Sequence, residues 1–193
     1  MYGNKTRRLF IAIELPDHII RKLKELQDSL KKEVKGKISW SKPENIHLTL
    51  IFLGDVSEEK VEGIKASIKG ACEGINQFIL LPEGIGCFPD IKNPRVIWVG
   101  IKTENNLLND IFERLGAGLQ DIGFEKESRK FHPHLTLGRI KYFEDRESLK
   151  KGIAGVHGIF IGEFEVKSVI LFESRLKPEG AVHTKLKEIK LGG

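Results

Sequence analysis

Cysteine is scarce in this chain of 193 residues. Cys72 and Cys87 are too few for a disulfide framework and form no CxxC pair, so both read as thiols in a reducing cytoplasm. No apolar run is long enough to cross a bilayer, and the first, Leu9 to Ile13, is also too short for the apolar part of a signal peptide. No membrane attachment is expected. A GxxxxGK[ST] loop is missing too, which leaves ATP-dependent kinase or ligase chemistry without support. Neither sign of charge is lacking: 32 Lys and Arg stand against 27 Asp and Glu, a net charge of +5. That excess is spread along the chain. It attracts polyanions moderately and does not select nucleic acid by itself.

With 40% hydrophobic and 31% charged residues, the composition is that of a folded protein, either one globular domain or two small lobes sharing a core. Abundant Lys, Glu and Ile beside a single methionine lean toward a thermophile. The most informative feature is the tetrapeptide HLTL, present at His47–Leu50 and again at His134–Leu137, an offset of 134 − 47 = 87. Applied elsewhere, that offset lays the Arg8–Ile13 run on Arg95–Gly100, two apolar stretches that read as buried strands. A helical pattern follows each: Ile19, Ile20, Leu23, Leu26 and Leu30 after Pro16, then Leu107, Leu108, Ile111, Phe112, Leu115 and Leu119 after Asn105. Charged helical segments follow both HLTL copies, Ser57–Glu73 with Ser57 as N-cap and Glu144–Ala154. A last strand closes each half, Ile85 and Phe88 matching Val169 and Phe172, and Ala181–Leu191 adds a terminal strand. The expected fold is α+β: a duplicated, bilobal, pseudo-twofold chain with two mainly antiparallel sheets facing a central cleft and helices outside. The repeats run from about 8 to 90 and 95 to 174, with a C-terminal strand at 181–191, as two intertwined lobes of a single domain spanning 1–193.

On a strand, successive side chains alternate faces, so Leu48 and Leu50 turn to the core while His47 and Thr49 share the opposite face. His134 and Thr136 repeat that arrangement. Pairing of the halves would bring two imidazoles and two hydroxyls together. Near neutrality one imidazole can be a base while another is a protonated acid, which is what displacement at phosphorus needs. Threonine hydroxyls can donate to non-bridging oxygens. No metal or other cofactor is expected. His132 and His134 form an HxH, but a zinc site needs three or four converging ligands.

These residues, with the opening RLFIAIELP, the WVG strand at Trp98 and the FHPHLTLGR stretch from Phe131 to Arg139, resemble the two-histidine (2H) phosphoesterase superfamily. Within it they are similar to the RNA 2′,3′-cyclic phosphodiesterases, historically called 2′-5′ RNA ligases. The resemblance covers nearly the whole chain. It implies hydrolysis of an RNA 2′,3′-cyclic phosphate end to a 2′-phosphomonoester. It also implies His134 as the base activating water, His47 as the acid, Thr49 and Thr136 as phosphate-oxygen donors, and Arg139 as a counter-charge. A regular strand would turn Arg139 away from His134, and Gly138 could permit a bulge that re-aims it. Phe52 occupies the matching place in the first half.

Four functions compete: metal-independent cyclic phosphodiesterase, ATP-independent 2′-5′ RNA ligase acting on tRNA halves, action on a small nucleotide such as ADP-ribose 1″,2″-cyclic phosphate, and a non-catalytic RNA-binding protein. The expected partner is RNA with a cyclic phosphate end, tRNA fragments being candidates, in the cytoplasm and without an oligomer. The two intact His/Thr pairs argue against a purely binding role. Phe88 reads as core packing. Trp40 could pack or stack on a base, and Lys42, Arg129 and Lys130 could guide a backbone or be ordinary surface charge. His18, His157 and His183 have no matching partners and stand outside the proposed site.

Overall fold

The computed structural model describes residues 6–125, 127–156, 158–178 and 180–192. Strand β1 (Thr6–Glu14) leads into helix α1 (Asp17–Glu33), strand β2 (Gly36–Trp40) and strand β3 (His47–Ser57). Helix α2 (Val61–Cys72) and strand β4 (Phe78–Phe88) complete the first half. Then come β5 (Val96–Thr103), α3 (Leu107–Gln120), β6 (His134–Phe143), α4 (Arg146–Gly155), β7 (Phe164–Val166), β8 (Ser168–Lys177) and β9 (Gly180–Lys190). The helical apolar spacing is what the packing uses. Ile19, Leu23, Leu26 and Leu30 of α1 and Leu108, Ile111, Leu115 and Leu119 of α3 are buried in one core with Leu9, Ile11 and Ile13.

Helix starts depart from expectation at one place. Ser57 ends β3 and precedes a short 3-10 turn, Glu58–Lys60, and its hydroxyl donates to the Glu59 carboxylate rather than capping backbone. Asp145, in contrast, caps α4 by accepting from the backbone N–H groups of Glu147 and Ser148.

The strands form an α+β fold with antiparallel pairing between named strands, in the order β7-β4-β5-β6-β3-β1-β8-β9, with β2 on β6. All nine strands make one continuous sheet, its two lobes joined edge to edge through the pairing of Leu48 on β3 with Leu135 on β6. β2 takes up the rest of that edge, running from Gly36 opposite Phe143 to Trp40 opposite Gly138. The halves also trade strands. β4, from the end of the first half, pairs with β5, and β8, from the end of the second, pairs with β1. Helices follow suit: α2 packs on α3 and α1 on α4.

Candidate active site

The HLTL strands are built as their alternation demands. Leu48, Leu50, Leu135 and Leu137 are all buried in the core, while His47, Thr49, His134 and Thr136 lie partly open on the other face. Continuing the antiparallel register from Leu48 and Leu135 sets His47 opposite Thr136 and His134 opposite Thr49. Opposed Cβ atoms lie about 5 Å apart and diagonal ones about 7–8 Å. The two histidines therefore stand diagonally across the strand pair, on one face of the sheet.

Both rings are held alike. His47 Nδ1 lies 2.7 Å from the Asn45 carbonyl and His134 Nδ1 lies 2.7 Å from the His132 carbonyl. A carbonyl can only accept, so each Nδ1 carries the proton and each Nε2 is free for proton transfer. Each ring also has an aromatic wall. His47 stacks on Phe10 at 4.7 Å, and Phe10 stacks on Phe172 at 5.2 Å. His134 meets Phe88 edge-on at 4.9 Å and has Trp98 at 6.4 Å. Phe88 is thus a wall of the site and not the core residue expected. Phe88 and Phe172 match each other in the repeat, so their shared place on the exchanged strands was the available clue.

A bulge completes the set. Thr136 pairs with Trp98 but Gly138 with Ile97, leaving Leu137 as the extra residue. Arg139 then faces Val96, on the same side as Trp98, so it shares a face with Thr136 and His134. The first half has the same bulge at Leu50, which brings Phe52 to the matching place. The Arg8 guanidinium lies 5.2 Å above the Phe52 ring and supplies charge there. The β1 and β5 strands align on these bulges with Ala12 matching Trp98, an offset of 86 rather than 87.

His47, Thr49, Thr136 and Arg139 line one cleft of about 840 Å³, with Arg8 and Lys42 as further cations and no carboxylate among its described lining residues. Trp40 lines it too, with the Lys31 ammonium 5.7 Å from its ring centre. His134 opens on a second cavity, of about 400 Å³, walled by Phe88, Trp98 and His132. Arg129, paired with Glu127, and Lys130 line neither. Burial pushes the His47 imidazole down to about 4; the Asn45 carbonyl opposes this and His183 adds to it. His134 is also lowered, first by burial, against the pull of the His132 carbonyl and with help from Arg139 and His132.

Of the histidines set aside from the sequence, His18 bonds the Glu163 carbonyl through Nε2, and His157 lies outside the described residues. His183 was missed. Its ring stands edge-on to His47 at 5.3 Å and lines the same cleft, a contact no repeat pattern could reveal because β9 has no counterpart of its length. Among the described residues, no three His, Cys, Asp or Glu side chains are grouped to hold a metal ion. None of the described helices is long and apolar enough to cross a membrane.

A duplicated antiparallel chain that offers one His/Thr pair from each half on a shared face is built as a two-histidine phosphoesterase. The chain belongs to the LigT-like phosphoesterase family, whose pattern ("LigT like Phosphoesterase") matches it twice, over residues 13–98 and 99–183. It is 37% identical over 181 residues to an RNA 2′,3′-cyclic phosphodiesterase of Methanocaldococcus jannaschii, covering 94% of this chain and 99% of that one. A protein of the same name from Aquifex aeolicus is 33% identical, over 90% and 93% of the two chains. The crystal structure of TT0787 of Thermus thermophilus superposes with a TM-score of 0.80 at 30% identity, covering 96% of this chain and 98% of that one.

Proposed function

We propose that this chain is an RNA 2′,3′-cyclic phosphodiesterase that works by metal-independent acid–base catalysis between His134 and His47. The observation that carries the reading is the diagonal pair of imidazoles, each with its Nδ1 proton committed to a carbonyl two residues upstream. The relatives' shared name supports the substrate class.

In the proposed reaction His134 Nε2 takes a proton from water as the oxygen attacks phosphorus. The bond from phosphorus to the 3′ oxygen breaks, and His47 protonates that oxygen. A 2′-phosphomonoester and a free 3′-hydroxyl result, and proton exchange with solvent resets the pair. Thr49 and Thr136 donate to the non-bridging oxygens, and Arg139 offsets their charge. The inequality of the cavities supports this polarity. The terminal ribose carries the rest of the RNA, which needs the larger, carboxylate-free cleft, and that cleft is on the His47 side. Water needs little room.

The smaller cavity beside His134 also has space for a nucleoside. A 5′-hydroxyl in place of water would make a 2′-5′ linkage by the same proton transfers, which keeps ligation of RNA ends such as tRNA fragments as the second reading. We infer a cytoplasmic protein, where its two free thiols would stay reduced.

A labelled RNA ending in a 2′,3′-cyclic phosphate, incubated with excess chelator, tests the reading. The expected product is the 2′-phosphate. Loss of turnover on chelation would refute metal independence. A longer product when a 5′-hydroxyl strand is added would identify the ligase.

A further inference from the structure

We propose that His183 is a second histidine of the larger cleft, a substrate-positioning residue that hydrogen-bonds the terminal ribose–phosphate beside His47 and so fixes which way round substrate lies. The proposal rests on the phosphodiesterase reading and adds to it a residue that neither the repeat nor the motif contains.

The first support is asymmetry. β9 is eleven residues long and runs beside β8 from Ser168 to Lys177, bringing His183 opposite Ser174. Its counterpart in the other lobe is the three-residue β7, which pairs only with Phe78 to Leu80 and stops well short of Phe88. The HLTL strands thus carry one imidazole each, His132 stands beside His134 in the smaller cavity, and β9 brings a residue distant in sequence, His183, beside His47.

The second is anchoring. Asn45 accepts from His47 Nδ1 through its carbonyl, and its side-chain amide donates to the Ala181 carbonyl at 2.8 Å. One residue therefore sets the His47 ring and the strand segment two residues before His183. That coupling holds the two rings in a common frame.

The third is the ring itself. His183 Nδ1 is buried and has no hydrogen-bond partner. A buried N–H without an acceptor is costly, so the neutral ring keeps its lone pair there and its proton on Nε2. The donor is left for the cleft that His183 lines together with Ser174 and Thr49. The ring packs edge-on against Phe10 at 5.0 Å and His47 at 5.3 Å, a place where phenylalanine would serve if packing were the only need.

The test uses His183→Phe, which keeps the ring, and His183→Gln, which keeps a donor near Nε2. Each is assayed on a short RNA ending in a cyclic phosphate, and separately titrated with a nucleoside 3′-monophosphate by calorimetry. His183→Phe is expected to raise KM about tenfold and weaken nucleotide binding by a similar factor, while kcat stays within about threefold of wild type. His183→Gln should restore both within about threefold. Wild-type KM and nucleotide affinity in His183→Phe would reduce the residue to packing and overturn the proposal. So would a collapse of kcat at unchanged KM, which would make it a proton donor instead. If His183→Phe does not fold, His183→Ala against His183→Gln gives the same contrast. Should the wild type fail to open the cyclic phosphate, the phosphodiesterase reading falls, while the calorimetric arm still decides whether His183 holds a nucleotide.

Discussion

His47 shows how a strand position and its neighbours set chemistry. It is partly buried against Phe10, and burial holds its proton affinity at about 4. Without substrate at neutral pH it is uncharged, so in the proposed mechanism a proton for the leaving oxygen has to be stabilised by the anionic substrate itself. Binding a phosphodiester raises the imidazole's affinity for a proton. The alkaline limb contributed by this acid should therefore lie at higher pH in kcat, which reports the complex, than in kcat/KM, which reports the free protein. Superimposed limbs would show that substrate does not charge the acid. The same depression affects folding. The unfolded chain binds a proton at His47 with the ordinary value of 6.5, the folded chain only near 4, so stability is full above about pH 6.5 and falls as pH drops toward 4. The loss for this residue is on the order of 3 kcal/mol. Urea melts at pH 7 and 4 should show a smaller pH dependence in His47→Gln than in wild type. For catalysis, His47→Ala and His134→Ala should each cut turnover at least 100-fold, roughly the worth of a general acid or base, with the melting transition retained.

The elements carry the next layer of the site, through bulges and close approaches. A glycine before Arg139 signalled that β6 could change phase there, and the extra residue proves to be Leu137. Trp98 depends on Gly86 across the strand pair, since a Cβ on Gly86 would sit 2.3 Å from the Trp98 ring. Gly86→Ala must displace that indole from beside His134. It should cost about 1–3 kcal/mol in chemical denaturation, the usual penalty for overpacking, and lower kcat/KM as well. Unchanged values for both would show that the aromatic wall tolerates movement. β2 was not anticipated. Its sequence, GKISW, has a single aliphatic residue and pairs with a strand about a hundred residues further on, so no local period marks it.

For the molecule as a whole, the exchange of strands ties the repeats together. Each lobe takes its third strand from the other half of the chain, β4 into the second lobe and β8 into the first. Residues 1–90 alone would leave β4 without β5 and β1 without β8, exposing strand edges and the Phe10 ring that Phe172 covers in the whole chain. That fragment should show no cooperative unfolding transition by circular dichroism, and a folded fragment would contradict the interdependence. Charge also acts at this level. The cleft gathers Arg8, Lys42 and Arg139 with no carboxylate among its described lining residues, although the net charge is only +5. KM for a cyclic-phosphate RNA should rise with salt, because releasing the RNA's counterions gains less free energy in a more concentrated solution. A salt-independent KM would place the RNA backbone outside this cleft.

Much of this protein was written locally. Alternation placed the four leucines of the HLTL copies inward and their histidines and threonines outward, and helical spacing marked the faces of α1 and α3, because burial of apolar side chains acts on each element as it forms. Duplication then implied two such units in one fold. Folding in three dimensions settled the rest: the exchange of β4 and β8, the aromatic wall at Phe88, the joining of the lobes at Leu48 and Leu135, and the arrival of His183 beside His47. Those are contacts between residues far apart along the chain. They follow from how strands choose neighbours to bury both faces and satisfy their edges, a choice made by the assembled molecule rather than by any stretch within it.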